Sequence, residues 1–181
     1  MVDLIVFLGN PGADYRSTRH NVGRMVAEAL PDAGTRTWKE KFHGRIAEYG
    51  SPGRRTRLLI PETFMNESGR SVAAAAAFYR VEPEGILVVH DDLELPFGRV
   101  SQRLGGGLAG HNGLRSIKDH LKTADFGRLR VGIGRPDRGS VRSWVLSRFS
   151  PEDEAALPEI LESAAARIDA ILAGRTSPED A

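Results

Sequence analysis

Residues 3–9 read Asp-Leu-Ile-Val-Phe-Leu-Gly, five consecutive apolar side chains between an acidic residue and a glycine. A strand with one wet face would alternate apolar with polar, so an unbroken run of this length reads as a strand buried on both faces, as in parallel sheets. The run is far too short to span a bilayer and no basic segment precedes it. It therefore reads as a first strand and not as a signal peptide. Two more runs have the same character: GILVVHDDLELP at 85–96, which ends on acidic residues, and GRLRVGIG at 127–134.

Helical patterns separate these strands. Val22, Met25, Val26, Ala29 and Leu30 fall at helical spacing, with Asn21 placed to cap the helix and Pro31 to stop it. The alanine-rich stretch MNESGRSVAAAAAFYRV (65–81) predicts a second helix, with Asn66 as its cap. Leu114, Ile117 and Leu121 predict a third after Asn112. The stretch from Ser150 to Gly174 is amphipathic through Ile160, Leu161, Ala164, Ile168, Ile171 and Leu172, and Pro158 is expected to kink or divide it. Around KFHGRIAEYGSPGRRTRLLIP (41–61) two strand-like runs flank a Ser-Pro-Gly turn, a hairpin pattern, and RVSQRL (99–104) adds another strand. Strands alternating with helices predict an α/β fold, a twisted mixed and largely parallel sheet flanked by helices. With no internal repeat or linker, residues 1–181 read as a single domain ending in a frayed tail from about 175.

The chain has no cysteine, which excludes disulfides and thiolate metal sites and is compatible with the cytoplasm. The net charge of +1 hides an asymmetry. Residues 151–181 carry eight acidic and two basic side chains, leaving the first 150 residues at +7. Between Pro96 and Arg142 there are ten Arg or Lys and three Asp, a local excess suited to a polyanion such as a nucleic-acid backbone.

Functional residues of α/β sheets gather outside the carboxyl ends of the strands. Asn10 follows the first strand, His90-Asp91-Asp92 end another, Asn66 opens a helix, and His111-Asn112 close the glycine-rich GGGLAGHNG loop. His20 comes shortly after the first loop, so several segments can converge on one cleft. A neutral imidazole oriented by Asp91 or Asp92 makes a general base near neutral pH. Adjacent residues on a strand point to opposite faces, which argues against His90, Asp91 and Asp92 as a metal set; one of the two aspartates is expected in a turn or cap. The glycine loop lacks the GK[ST] ending of a phosphate loop. No GxSxG and no cysteine supply a side-chain nucleophile, leaving water activated by histidine.

The segments FLGNPGADYRSTRHNVG, PETFMNESGRSV, VVHDDLELPFGRV, GGGLAGHNGLRSI and FGRLRVGIGRP resemble, in order and spacing, the bacterial-type peptidyl-tRNA hydrolase family, from about Leu4 to Phe149. The resemblance implies His20 as the catalytic base and Asp91 as its orienting acid. It implies substrate contacts at Asn10, Asn66 and Asn112, with Met65, Tyr15 and His111 lining the same cleft, and tRNA phosphates at Arg103, Arg130 and Arg115. The implied reaction is hydrolysis of the ester between a peptide and the terminal ribose of tRNA. It needs no metal or other cofactor, no membrane and no obligate protein partner, and the family implies a monomer in the cytoplasm. A binding protein that kept the basic face but lost the base is one competing reading, and an esterase or amidase acting on a small substrate is another. The complete His-Asp-Asn set weighs against the first, and the charge excess against the second.

Overall fold

The computed structural model describes residues 1–176 except Pro52. The expected Ser-Pro-Gly turn at Pro52, and the expected frayed tail at residues 177–181, fall outside the described residues. The strands are β1 (Leu4–Phe7), β2 (Lys39–Lys41), β3 (Gly44–Ser51), β4 (Arg54–Pro61), β5 (Ile86–Asp92), β6 (Val100–Leu104) and β7 (Gly127–Gly132). The helices are α1 (Val22–Ala29), α2 (Ser68–Tyr79), α3 (Asn112–Leu121), α4 (Val141–Val145) and α5 (Pro151–Leu172).

The strands form one sheet in the order β2-β3-β4-β1-β5-β7-β6. β4, β1, β5 and β7 are parallel, and antiparallel pairs close both edges. The sheet is thus mixed, with a parallel centre. Strand alternation divides the central side chains between two layers. Ile5, Phe7, Leu87 and Val89 pack with Val22 and Val26 of α1 and with Ala164 and Ile168 of α5. Leu4, Val6, Ile86 and Val88 pack with Val72 and Ala75 of α2 and with Leu114 and Ile117 of α3. The run at 3–9 does not alternate because both of its faces are covered.

From β1 the chain turns toward β2–β4, whereas from β5 it turns toward β6 and β7. Connections leaving in opposite directions open a crevice between the carboxyl ends of β1 and β5. Helix α1 comes down close to this crevice because residue 23 is glycine. A Cβ there would lie 2.5 Å from the Val89 carbonyl oxygen and 2.8 Å from that of Leu8.

Three local expectations are corrected. Asn21 immediately precedes α1 but makes no side-chain cap; its amide serves the backbone of Asn10 instead. Asn66 lies in a short 3-10 turn, Met65–Glu67, and α2 begins only at Ser68, so its exposed side chain is left for the cleft. Pro158 does not divide the last helix, since α5 runs from Pro151 through it to Leu172. An internal proline costs roughly 3 kcal/mol, which burial of Leu157, Ala164, Ala165 and Ile168 in the core offsets. Short elements at Lys39–Lys41 and Val141–Val145 were not anticipated, because three to five residues are too few to show a period.

Replacing Gly23 with Ala is expected to lower unfolding stability by about 1–3 kcal/mol, the usual cost of overpacking. Urea denaturation should show a lower midpoint at unchanged slope, and an unchanged midpoint would mean that α1 can back away freely.

Candidate active site

Asp91, at the end of β5, is 2 % exposed, and its carboxylate is the centre of the crevice. His20, in a 3-10 turn at Arg19–Asn21, brings Nδ1 to 3.0 and 2.9 Å from the two carboxylate oxygens. His111, the N-cap residue of α3, brings Nε2 to 2.8 Å from Oδ1. The Nδ1 of His111 accepts from the backbone N–H groups of Gly113 and Leu114, at 3.1 and 3.3 Å. That assigns its proton to Nε2, which donates to Asp91. His20 donates through Nδ1 in the same way, so its Nε2 is the nitrogen left to take a proton.

Burial alone would raise the Asp91 pKa, but the two imidazoles outweigh it and hold the carboxyl well below the usual carboxylate range. Burial alone would lower the His20 pKa; the Asp91 charge and hydrogen bond overcome this and raise it above 6.5. His90 is pushed down to about 3 by burial and by its neighbour His111, so it stays neutral, with Nδ1 donating to the Asp91 carbonyl at 2.7 Å.

Asp92 turns away from Asp91's partners, as strand alternation requires. One oxygen accepts from the Glu94 N–H at 2.7 Å, the expected turn role, and the other from Nε of Arg130 at 2.7 Å. His20, Asp91 and His111 are also the described residues whose donor atoms lie close enough together to hold a metal ion. Both nitrogens, however, spend a proton on the carboxylate, and an ion would have to displace both.

The amide of Asn10 is oriented by its neighbours. Its Oδ1 accepts from the Met65 N–H at 2.8 Å, so Nδ2 remains as a donor, and Asn21 bridges the Asn10 backbone N–H and carbonyl at 2.8 and 2.9 Å. A cleft of about 560 Å³ is lined by Asn10, Tyr15, His20, Met65, Asn66, Asp91, His111 and Asn112 among others. The eight catalytic and substrate-contact residues expected from sequence thus meet in one place.

Sequence reasoning missed the wall formed by the α4 region, where Val141, Arg142, Val145 and Leu146 line the same cleft. It also missed Arg19. This buried guanidinium sits 3.6 Å from the ring centroid of Trp144, and its Nη1 donates to the Ser147 hydroxyl and the Arg148 carbonyl, each at 2.6 Å. The residue before the candidate base is therefore tied to the α4 wall. Nothing local in the sequence pairs Arg19 with a segment about 130 residues away.

The sequence and the fold both have close counterparts. The family profile described as peptidyl-tRNA hydrolase matches residues 4–179. The chain belongs to the peptidyl-tRNA hydrolase family. A relative named peptidyl-tRNA hydrolase from Geotalea daltonii is 52 % identical over 162 residues, covering 89 % of this chain and 85 % of the relative. One of the same name from Neisseria meningitidis is 45 % identical over 177 residues, covering 96 % and 92 %. The crystal structure of peptidyl-tRNA hydrolase from Acinetobacter baumannii superposes with a TM-score of 0.88 at 38 % identity, covering 96 % and 90 %.

The three arginines that family resemblance assigns to tRNA phosphates occupy different settings. Arg103 on β6 and Arg115 on α3 are exposed, whereas Arg130 is mostly covered and paired with Asp92. The glycine loop of this peptidyl-tRNA hydrolase family member is held in part through its carbonyls. Buried Arg128 donates to the carbonyl of Gly107 at 2.7 Å and to that of Gly105, and burial, then Arg103 and Arg130, push its pKa down to about 10.

Titration of His20 followed by NMR should give a midpoint above that of a free imidazole. In Asp91→Asn the midpoint should fall below it, because burial then acts unopposed; an unmoved midpoint would mean that Asp91 does not set the charge of His20.

Proposed function

We propose that the chain hydrolyses the ester joining a peptide to the 3′-terminal ribose of tRNA, with water as nucleophile and His20 as general base. The observation that carries this reading is the His20–Asp91 pair, Nδ1 to carboxylate, in a cleft that also holds an oriented asparagine donor.

Water bound against Nε2 of His20 gives up its proton as its oxygen attacks the ester carbonyl carbon. The imidazolium so formed is stabilised by the ionised Asp91. Negative charge gathers on the former carbonyl oxygen, where the Nδ2 of Asn10 and the amides of Asn66 and Asn112 serve as donors. Collapse of the tetrahedral intermediate breaks the bond to the ribose oxygen, which takes the proton back from His20. The products are a free peptide carboxylic acid, which loses its proton to solvent, and a tRNA with its terminal hydroxyl restored. His111 holds Asp91 without competing for the proton, because its own Nδ1 is spent on the start of α3.

The scheme is complete with these side chains and water, and it calls on no cofactor. Arg103 and Arg115, with the Pro96–Arg142 excess, take the RNA backbone, and Arg130 supports Asp92 and the phosphate face together. The enzyme acts as a monomer in the cytoplasm, on peptidyl-tRNA that has left the ribosome.

His20→Ala is expected to cut release of the blocked amino acid from N-acetyl-aminoacyl-tRNA, with EDTA present, by about 10²–10⁴-fold while retaining tRNA binding. Unchanged release would remove His20 from the mechanism, and a wild type that binds tRNA but never cleaves it would favour the binding-protein reading. Because the base must be neutral, wild-type kcat should rise with pH through the raised His20 pKa and flatten above it. Arg103→Ala and Arg115→Ala should each weaken tRNA binding and reduce the slope of log K against log salt by roughly 0.7–0.9. An unchanged slope would put the phosphate contacts elsewhere.

A further inference from the structure

Beside the catalytic cleft lies a second cavity of about 490 Å³, lined in part by Asn10, Arg16, Arg24, Trp38, Arg45 and Glu62. The two chambers share their rims. The loop after β1 gives Asn10 and Tyr15 to the cleft, and Asn10, Gly12, Ala13 and Arg16 to the second cavity. The connection after β4 gives Phe64, Met65 and Asn66 to the cleft and Glu62 to the second cavity. A chain lying between these rims passes from one chamber into the other across Asn10.

The sheet order fixes the direction of that passage. Asp91 ends β5 and Asn10 follows β1, the two central neighbours. On one side of this pair lie β7 and β6, which carries Arg103; on the other lie β4 and β3, which carries Arg45 beside the second cavity. A substrate with RNA on one side of its ester and peptide on the other, bound with its RNA toward β6, must send its peptide toward β3.

The lining has the chemistry to receive a peptide. Arg16, Arg24 and Arg45 stand against Glu28 and Glu62, leaving one positive charge in excess. Glu62 is shared, with Arg45 Nε at 2.9 Å and Arg24 Nη1 at 3.5 Å. The Arg24 guanidinium also donates to the Pro61 carbonyl, fastening the β4 rim, while Arg45 is the more exposed of the pair, at 41 % against 15 %. Trp38 supplies a flat wall, with the Arg45 guanidinium 5.6 Å from its ring centroid.

We infer that this second cavity is a subsite for the peptide upstream of the esterified residue, and that its charge selects for acidic side chains there. The inference rests on the hydrolase reading given above. Arginine forks donate to peptide carbonyls and carboxylates, and the indole covers apolar side-chain surface. An N-acetyl-aminoacyl group is too short to use the subsite; a tripeptidyl group reaches it.

The test measures kcat/KM on three tRNA esters: N-acetyl-alanyl, and two tripeptidyl groups ending in alanine and carrying either two aspartates or two lysines upstream. Wild type should favour the aspartate substrate over the lysine substrate by about tenfold, the scale of one hydrogen bond to a charged group. Arg45→Glu should reverse that order, and Trp38→Ala should weaken both tripeptidyl substrates relative to N-acetyl-alanyl-tRNA. Cleavage of all three by wild type with no preference, or an Arg45→Glu ratio equal to that of wild type, overturns the subsite and leaves the hydrolase standing. Equal loss on all three substrates in both variants marks a structural effect and also overturns the subsite. A wild type that cleaves none of them overturns the hydrolase reading and the subsite with it.

Discussion

A single buried carboxylate organises the functional end of this molecule. Asp91 is removed from water yet ionised, a state tolerable only when hydrogen-bond donors replace the lost hydration. His20 and His111 supply them, one from the loop after β1 and the other from the cap of α3. One of the two imidazoles is fixed in turn by the use of its second nitrogen. His111 spends Nδ1 on two helix N–H groups, so only His20 keeps a free lone pair. Two histidines on one aspartate therefore have different tasks, assigned by the hydrogen bonds on the far side of the His111 ring.

The loops that carry these groups are held by one recurring device. Arg19 donates to the Arg148 carbonyl, Arg24 to that of Pro61, and Arg128 to those of Gly105 and Gly107. In each case a partly or wholly buried guanidinium donates to backbone oxygens at a strand end or in a loop. The α4 wall is thereby anchored to the 3-10 turn at Arg19–Asn21, the β4 rim to α1 and the glycine loop to the sheet. Arginine thus has two functions in this chain: exposed arginines form the charged surface, and covered ones fasten the cleft. Composition alone cannot separate the two, and Arg130 shows why, since its charge counts toward the basic stretch while its Nε serves Asp92.

Much of this was legible in the chain itself. The unbroken apolar run at 3–9 and its counterparts at 85–96 and 127–134 predicted strands covered on both faces, and two layers of helices cover them. The motifs carrying His20, Asp91, Asn10, Asn66 and Asn112 stood out as polar groups at predicted strand ends, loops and helix starts. The expectations that failed were local ones. Asn21 and Asn66 have the right side chain and position for caps, but a cap competes with other uses of the same amide, and in this fold the cleft and the Asn10 backbone win. Pro158 has the chemistry to break a helix, but the breaking cost is small beside the packing of a 22-residue helix on the core.

The sequence by itself determined the order of the longer strands and helices, the basic stretch and the residue types available for chemistry, because these follow from side-chain periodicity and composition. The tertiary structure alone decided which histidine keeps a free nitrogen, which aspartate faces His20, which arginines are spent on carbonyls, and that α4 walls the cleft. Those outcomes depend on contacts such as Arg19 with Trp144 and His20 with Asp91, between residues far apart in the chain. Local periodicity carries no record of which distant group will arrive to compete for a given hydrogen bond. That choice is made when the sheet closes and burial obliges each polar atom to find a partner.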